Sequence, residues 1–238
     1  MLNQFSRTEL LFGADAMQKL ANSRVAVFGI GGVGSFIAEA LARAGVGTLT
    51  LIDNDTVALS NLNRQLVALR STIGQYKTDV MAARIHDINP DCRVTAIRAF
   101  YEEENKEQFF ADNLSYIADA IDSVKSKLSL IAEAQARSIP IISSMGTGNR
   151  LDPAKFVITD ISKTSGCPLA RVMRYELRKR GIFHHTVLSS TELPRKPLPL
   201  EAPQNARRSV PGSVSWVPPA AGMMIAGYIV RQLLGENV

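Results

Sequence analysis

The feature that most constrains the fold of this chain is a glycine-rich loop between a strand-like run and a helical pattern. The apolar run over residues 24–28 leads directly into Gly29-Ile30-Gly31-Gly32-Val33-Gly34, and residues 33–44 then repeat apolar side chains at helical spacing. In that setting glycines permit a tight turn and a close approach of the backbone to a phosphate, which the free N–H groups of the helix N-terminus can bind. We therefore expect Gly29, Gly31, Gly32 and Gly34 to form a nucleotide-binding loop.

Strand-like runs alternate with helical patterns over residues 1–150, the part predicted to bind the nucleotide. This alternation predicts an α/β fold with a doubly wound, mainly parallel sheet of the Rossmann-like type. The predicted strands cover residues 24–28, 48–53, 93–96, 116–120 and 140–143. The predicted helices cover residues 8–20, 33–44, 77–88 and 124–136.

Residues 151–238 are predicted to form a C-terminal extension that completes the same domain, so that 1–238 is a single domain. Strands are expected over 156–161 and 186–190, with a helix over 168–180 that has Pro at its start and Gly just past its end. The proline-rich segment over about 191–213 is predicted to be a long mobile loop. The apolar stretch over 214–234 is interrupted by prolines, glycines and Arg231, which favours a buried helix over a membrane span.

Charge is distributed unevenly along the chain. Residues 1–150 carry 15 basic and 16 acidic residues, a net charge of −1, whereas residues 151–238 carry 12 basic and 6 acidic residues, a net charge of +6. The basic excess includes a helical group, Arg171, Arg174 and Arg178, and a loop group, Arg195, Lys196, Arg207 and Arg208. A polyanionic partner and a merely solvated basic face both account for this pattern.

The cysteine count and the polar first residues exclude several classes of protein. Two cysteines are too few for a disulfide scaffold or for the paired CxxC motifs of a structural zinc site. The first ten residues lack the apolar segment of a signal peptide. We therefore expect a cytoplasmic protein that uses no zinc and does not bind a membrane.

The polar residues that follow the glycine loop indicate which nucleotide is bound. Asp53 ends the second predicted strand, 19 residues after Gly34, where an acid can accept hydrogen bonds from ribose hydroxyls. A nicotinamide-dependent oxidoreductase would fit these two features alone. Asp55, the run Ser60-Asn61-Leu62-Asn63-Arg64-Gln65 and Lys77 come next. Cations in that position suit an enzyme that stabilises the charge developing on pyrophosphate as it leaves a triphosphate.

These pieces, together with Phe5-Ser6-Arg7-Thr8, Thr72-Ile73-Gly74-Gln75-Tyr76-Lys77 and Asp119-Ala120-Ile121-Asp122, occur in an order that resembles the ThiF/MoeB/E1 superfamily. That superfamily consists of ATP-dependent enzymes that adenylate a carboxylate. Within it, Ile88-Asn89-Pro90, Asp160-Ile161-Ser162-Lys163-Thr164 and Pro168-Leu169 are most similar to the tRNA threonylcarbamoyladenosine dehydratases. The resemblance implies an ATP-dependent ligase or cyclase that closes a ring in the threonylcarbamoyl group on adenosine 37 of tRNA, through an acyl-adenylate.

The resemblance also implies roles for individual residues. The four glycines would bind phosphates, Asp53 and Asp55 would lie at the nucleotide, and Asn61, Arg64 and Lys77 would hold the triphosphate and stabilise the leaving pyrophosphate. Asp122 would bind Mg²⁺ or position the attacking carboxylate. Arg7 would reach the ATP of a partner subunit, which implies a homodimer with composite ATP sites. The implied partners and cofactors are tRNA, ATP, Mg²⁺ and a monovalent cation.

Two features depart from the pattern of the sulfur-transfer relatives. The zinc-binding CxxC pairs are missing, and Cys167 matches no catalytic position, so involvement of a sulfur-transfer partner protein stays open. Three alternatives remain at this point. The chain could activate the C-terminus of a ubiquitin-like sulfur carrier, use a nicotinamide cofactor, or bind a nucleotide without catalysis.

Overall fold

The computed structural model describes residues 2–110, 113–198 and 211–236. A seven-stranded sheet with the strand order β3-β2-β1-β4-β5-β7-β6 forms its centre. The strands are β1 (Arg24–Phe28), β2 (Thr48–Ile52), β3 (Arg93–Ile97), β4 (Tyr116–Asp119), β5 (Ile141–Ser144), β6 (Phe156–Asp160) and β7 (Thr186–Ser190). Five of the six strand pairs are parallel, which confirms the predicted α/β fold with a mainly parallel sheet.

Helices cover both faces of this sheet, which is what a doubly wound fold requires. The helices are α1 (Ser6–Phe12), α2 (Ala14–Ala21), α3 (Gly34–Ala44), α4 (Lys77–Ile88), α5 (Val124–Ala136), α6 (Pro168–Lys179) and α7 (Val217–Leu234). One hydrophobic cluster packs α3, α4 and α7 against the sheet, and a second packs α5 and α6 against the opposite face. The central strands β1 and β4 are therefore apolar and buried on both sides, as in other parallel sheets.

The prediction of one N-terminal helix over residues 8–20 is wrong. The chain forms two helices there, α1 and α2, because Gly13 between them adopts φ = 82°, a left-handed conformation that ends the first helix. The helix predicted over residues 33–44 is present from Gly34 to Ala44 and ends at Gly45, again with a positive φ of 93°. Helices α4 and α5 have the bounds that are predicted from the sequence, residues 77–88 and 124–136.

Beyond residue 150 the chain adds to the same sheet. Strand β7 pairs in parallel with β5, and β6 pairs antiparallel with β7 at the edge. Helix α7 lies against α3, and within the described ranges no helix is long and apolar enough to cross a membrane. Part of the predicted loop over 191–213, including Arg207 and Arg208, lies outside the described residues.

Candidate functional site

A cavity of about 820 Å³ opens at the C-terminal ends of β1, β2, β4 and β5. Because β1 lies between β2 and β4, the chain leaves β1 towards one edge of the sheet and later crosses to the other. Ligands of doubly wound folds bind at this switch point. The cavity has two walls. We call them the glycine-loop side (residues 29–33, 53–65 and 77) and the Arg150 side (residues 144–150, 167–169 and 211–213).

The glycine loop joins the end of β1 to the start of α3 on the first of these sides. Gly29, Gly31 and Gly32 line the cavity, whereas Gly34 lies beneath the loop. A methyl group on Gly34 would collide with the Gly29 carbonyl oxygen, so Gly34 is required for packing of the loop itself. A methyl group on Gly31 would meet nothing closer than Gln65 Nε2 at 3.8 Å. The fold therefore does not require glycine at this position, and the missing side chain leaves space for a ligand.

Asp53 closes the glycine loop from the end of β2. Its Oδ2 accepts from the Ile30 amide at 2.7 Å, and its Oδ1 accepts from the Asp55 amide at 2.8 Å. Burial raises the pKa of Asp53 above its ordinary value, although Lys77 and the two amides act in the opposite direction. The carboxylate is thus fixed against the loop and keeps lone pairs for a sugar hydroxyl.

The cations of the glycine-loop side already have partners in the protein. Lys77, at the start of α4, is buried and places its Nζ 2.7 Å from Asp55 Oδ2. Arg64 donates from Nη1 to the Ser60 carbonyl at 3.0 Å and to Asn63 Oδ1 at 2.9 Å. Asn61 precedes Arg64 by three positions and lines the same wall. The structure therefore places Asp55, Asn61, Arg64 and Lys77 around one volume.

Asp122 and Asp119 have opposite surroundings although only three residues separate them. Asp119, at the end of β4, is fully buried and accepts from Lys127 Nζ at 2.8 Å and from Ser143 Oγ at 2.6 Å. Lys127 Nζ also donates to the Ile121 carbonyl at 3.1 Å, which fixes the turn that carries Asp122. Asp122 itself is exposed on the cavity wall, and its carboxylate makes no hydrogen bond or ion pair with any residue that the structure describes.

His185 extends this buried network towards β7. Its Nε2 lies 2.7 Å from Ser143 Oγ. Burial and then the charge of Lys127 lower the pKa of His185 to about 4, against a smaller opposite effect of Asp160. The histidine is therefore neutral at physiological pH.

Arg7 does not reach the cavity of its own chain. It is exposed on α1, a helix that buries none of its residues and leaves Leu10 and Leu11 85% and 82% exposed. Arg174 also differs from its neighbours on α6, because its Nη1 donates to Thr164 Oγ1 at 2.6 Å and to the Thr164 carbonyl at 2.8 Å. Of the predicted helical arginines, Arg171 and Arg178 are the exposed ones.

The Arg150 side was not predicted from the sequence. It consists of the loop after β5, the start of α6 and the segment before α7. The pattern Gly146-Thr147-Gly148 directly after a buried strand is the signal that could have found it, since ligands bind where such strands end.

The fold and the site together are those of an α/β protein with a glycine-rich loop, an acid at the end of β2 and a set of cations around one cavity, an arrangement that is typical of nucleotide-binding folds. Residues 5–238 match the ThiF family, and the chain belongs to that family. The chain is 49% identical to the tRNA threonylcarbamoyladenosine dehydratase of Bacillus subtilis, covering 99% of this chain and 96% of the relative.

Solved structures of the corresponding Escherichia coli protein are also similar. The crystal structure of E. coli tRNA N6-threonylcarbamoyladenosine dehydratase in complex with ATP superposes with a TM-score of 0.89 at 37% identity, over 98% of this chain and 94% of that one. The AMP complex of the same protein gives a TM-score of 0.88, with the same identity and coverage.

Proposed function

We propose that this protein uses ATP to dehydrate N6-threonylcarbamoyladenosine at position 37 of tRNA. The observation that carries the proposal is the convergence of the glycine loop, Arg64, Lys77 and Asp122 on one cavity of a ThiF-family chain. The names of the most similar relatives supply the substrate.

The glycine-loop side is built to hold a triphosphate. Free N–H groups at the start of α3 and the glycines would bind phosphate oxygens, and Asp53 would accept from the ribose. Lys77 and Arg64, with Asn61, would move part of their interactions from protein oxygens to the β- and γ-phosphates. Cations held in place before the reaction stabilise the charge that develops as pyrophosphate leaves.

Asp122 fits a magnesium ion bound together with ATP. Its carboxylate is exposed to the cavity and has no partner in the described part of the chain. Mg²⁺ in nucleotide sites is typically held by one or two carboxylates together with substrate phosphates and water. The ion would neutralise phosphate charge, and Asp122 would hold it in place. A monovalent cation belongs to the proposal as well, without a residue assigned to it.

The reaction takes place in two steps. A carboxylate oxygen of the threonyl group attacks the α-phosphorus, and the bond from that phosphorus to the bridging oxygen breaks, releasing pyrophosphate and leaving an acyl-adenylate. The carbamoyl group of the same substrate then attacks the activated carbonyl carbon, and AMP leaves as the ring closes. Because the nucleophile belongs to the substrate, the protein acts by positioning and charge stabilisation.

A homodimer with shared sites is part of the proposal. Helix α1 carries Arg7 beside exposed leucines, and none of its residues is fully buried. An exposed apolar helix of this kind is typical of an interface. In a symmetric dimer, Arg7 of each subunit would reach the ATP of the other.

The test is mass spectrometry of nucleosides from tRNA that carries the threonylcarbamoyl group, after incubation with protein, ATP and Mg²⁺. We expect the modified nucleoside to lose one water, and we expect no change without ATP. Intact nucleoside after confirmed ATP binding would contradict the proposal. Pyrophosphate exchange that depends on a ubiquitin-like sulfur carrier instead would favour the carrier-activating alternative.

A further inference from the structure

Arg150 is an unusual residue on the wall of the cavity. Its side chain is only 2% exposed, yet Nη1 has no hydrogen-bond partner among residues 2–110, 113–198 and 211–236. Its one hydrogen bond in those ranges is from Nε to the Gly146 carbonyl, at 3.1 Å. A buried guanidinium without a full set of partners is destabilising, so it calls for a functional role or for an ion, water or ligand that completes its hydrogen bonds.

Glu192 is the nearby acid that could have neutralised Arg150, and it is used differently. Its carboxylate accepts from the backbone amides of Leu151 and Asp152 at 3.0 to 3.1 Å. Burial would raise the pKa of Glu192, but these amides, together with the charges of Arg150 and Arg195, lower it overall. Glu192 therefore balances part of the charge and leaves Nη1 of Arg150 unbonded.

A second feature of the same wall favours a negatively charged ligand. Helix α6 starts at Pro168, and Cys167, Pro168 and Leu169 line the cavity. The side chain of the N-cap residue, Cys167, accepts no hydrogen bond from the first turn of α6. The positive end of the helix dipole and a buried guanidinium thus face the same volume, and both favour an anion.

The loop that carries Arg150 is held in place by contacts distant in sequence. Asn149, at φ = 60°, donates its backbone N–H to the Gly212 carbonyl at 2.8 Å. Its side-chain Oδ1 accepts from the Gly212 amide at 2.7 Å. Trp216 Nε1 donates to the Leu151 carbonyl at 2.7 Å. Binding groups held this way lose little entropy when the ligand arrives.

We propose that Arg150 is the residue that binds the carboxylate of the substrate before it is activated. This inference rests on the proposed function, which requires a carboxylate and the α-phosphate of ATP to meet in one cavity although both are anions. The glycine-loop side supplies cations to the phosphates, and Arg150 supplies one to the carboxylate. A phosphate of the tRNA backbone is a less suitable occupant, because a residue this deeply buried is reached only by a group inserted into the cavity.

Two binding measurements on one anticodon stem-loop test this assignment. The stem-loop is prepared with and without the threonylcarbamoyl group, and its affinity is measured in the presence of a non-hydrolysable ATP analogue. Wild-type protein is expected to prefer the modified form, and Arg150→Met to lose about 10- to 100-fold of that preference, the usual value of a hydrogen bond to a charged group. Binding of the unmodified form should not change.

Arg70→Gln is the matched control, because it removes one positive charge from an exposed residue away from the cavity. It should leave the preference intact. The shift in melting temperature caused by ATP verifies that the Arg150→Met site is folded. Arg150→Lys, which keeps the charge but not the planar fork, should retain part of the preference and replaces Arg150→Met if that variant does not fold.

The outcomes separate the two proposals. A wild-type protein that neither prefers nor converts the modified stem-loop would overturn the proposed function and this inference together. If the wild type converts the substrate while Arg150→Met keeps the full preference, only the role of Arg150 is overturned. An equal loss of affinity for both stem-loops would mean that Arg150 binds a backbone phosphate, which also overturns it.

Discussion

The two sides of the cavity hold their cations in different ways. On the glycine-loop side, Lys77 forms an ion pair with Asp55, and Arg64 donates hydrogen bonds to Ser60 and Asn63. On the Arg150 side, the guanidinium is also buried, and its Nη1 has no hydrogen-bond partner in the part of the chain that the structure describes. A cation with an exposed partner can exchange it for a phosphate at little cost, whereas a buried cation without one has most to gain from an anion. The difference suggests that the first side adapts to the nucleotide and the second selects the acceptor.

The largest effect is expected from two alanine substitutions within the glycine loop. Gly34→Ala places a methyl group against the Gly29 carbonyl, so it should destabilise the fold by about 4 kcal/mol or more. Gly31→Ala meets no clash and should fold normally but lose ATP binding, because the methyl group occupies the space of a phosphate. Thermal unfolding with and without ATP measures both. Normal ATP binding by Gly31→Ala would show that the loop does not bind the phosphates.

The next effect concerns the cations of the glycine-loop side. Lys77→Ala and Arg64→Ala should each reduce pyrophosphate release by about 100- to 1000-fold, because each removes a preorganised charge from the transition state. Release is measured with modified tRNA, and circular dichroism checks the fold. Arg70→Ala serves as the surface control. Wild-type turnover in both variants would show that the triphosphate lies elsewhere.

The sequence could predict the glycine-loop side because its signals are local. The loop, Asp53, Asn61, Arg64 and Lys77 follow one another within 49 residues, and the helical patterns over residues 77–88 and 124–136 are local as well. The Arg150 side depends on contacts between distant residues, such as Asn149 with Gly212, 63 positions apart. The periodicity of apolar residues along the chain does not reveal contacts between such distant residues. The same reason explains why Arg174 was grouped with Arg171, although Thr164 binds its guanidinium.

A third prediction concerns the buried network beneath the two sides. Because burial lowers the pKa of His185 to about 4, the unfolded chain takes up a proton near pH 6.5 while the folded chain does not. The contribution of His185 to the free energy of unfolding is therefore fully present above about pH 6.5. It falls by about 3 kcal/mol as the pH decreases towards 4. The free energy of unfolding, measured with denaturant at several pH values across this range, should depend less on pH in His185→Gln than in the wild type. The same pH dependence in the two proteins would contradict the inference that His185 is buried and neutral.

Mixing two inactive variants tests whether the glycine-loop side is completed by a second subunit. Arg7→Ala lacks the residue that we propose to act in trans, and Asp122→Ala lacks the one that we propose to act in cis. After subunit exchange of an equal mixture, half of the dimers are mixed and hold one complete site, so about one quarter of wild-type activity should return. Exchange is followed by native mass spectrometry. No recovery after complete exchange would place Arg7 outside the shared site.

The smallest effect concerns how tRNA approaches the Arg150 side. Arg171 and Arg178 are exposed on α6, whose first turn lines the cavity, and the chain beyond residue 150 carries the basic excess. If both arginines contact phosphates, the double change Arg171→Ala, Arg178→Ala should weaken tRNA binding and reduce the salt slope of log affinity by about 1.4 to 1.8.

Arg174→Ala is the internal control for this slope. Its guanidinium is bonded to Thr164 and so releases no counterions when RNA binds, although its removal should lower the melting temperature. Filter binding at several salt concentrations measures all three proteins, and ATP affinity should not change in any of them. An unchanged slope in the double variant would leave α6 as a solvated basic surface, and the Arg150 side would then receive its substrate without help from the outer face of that helix.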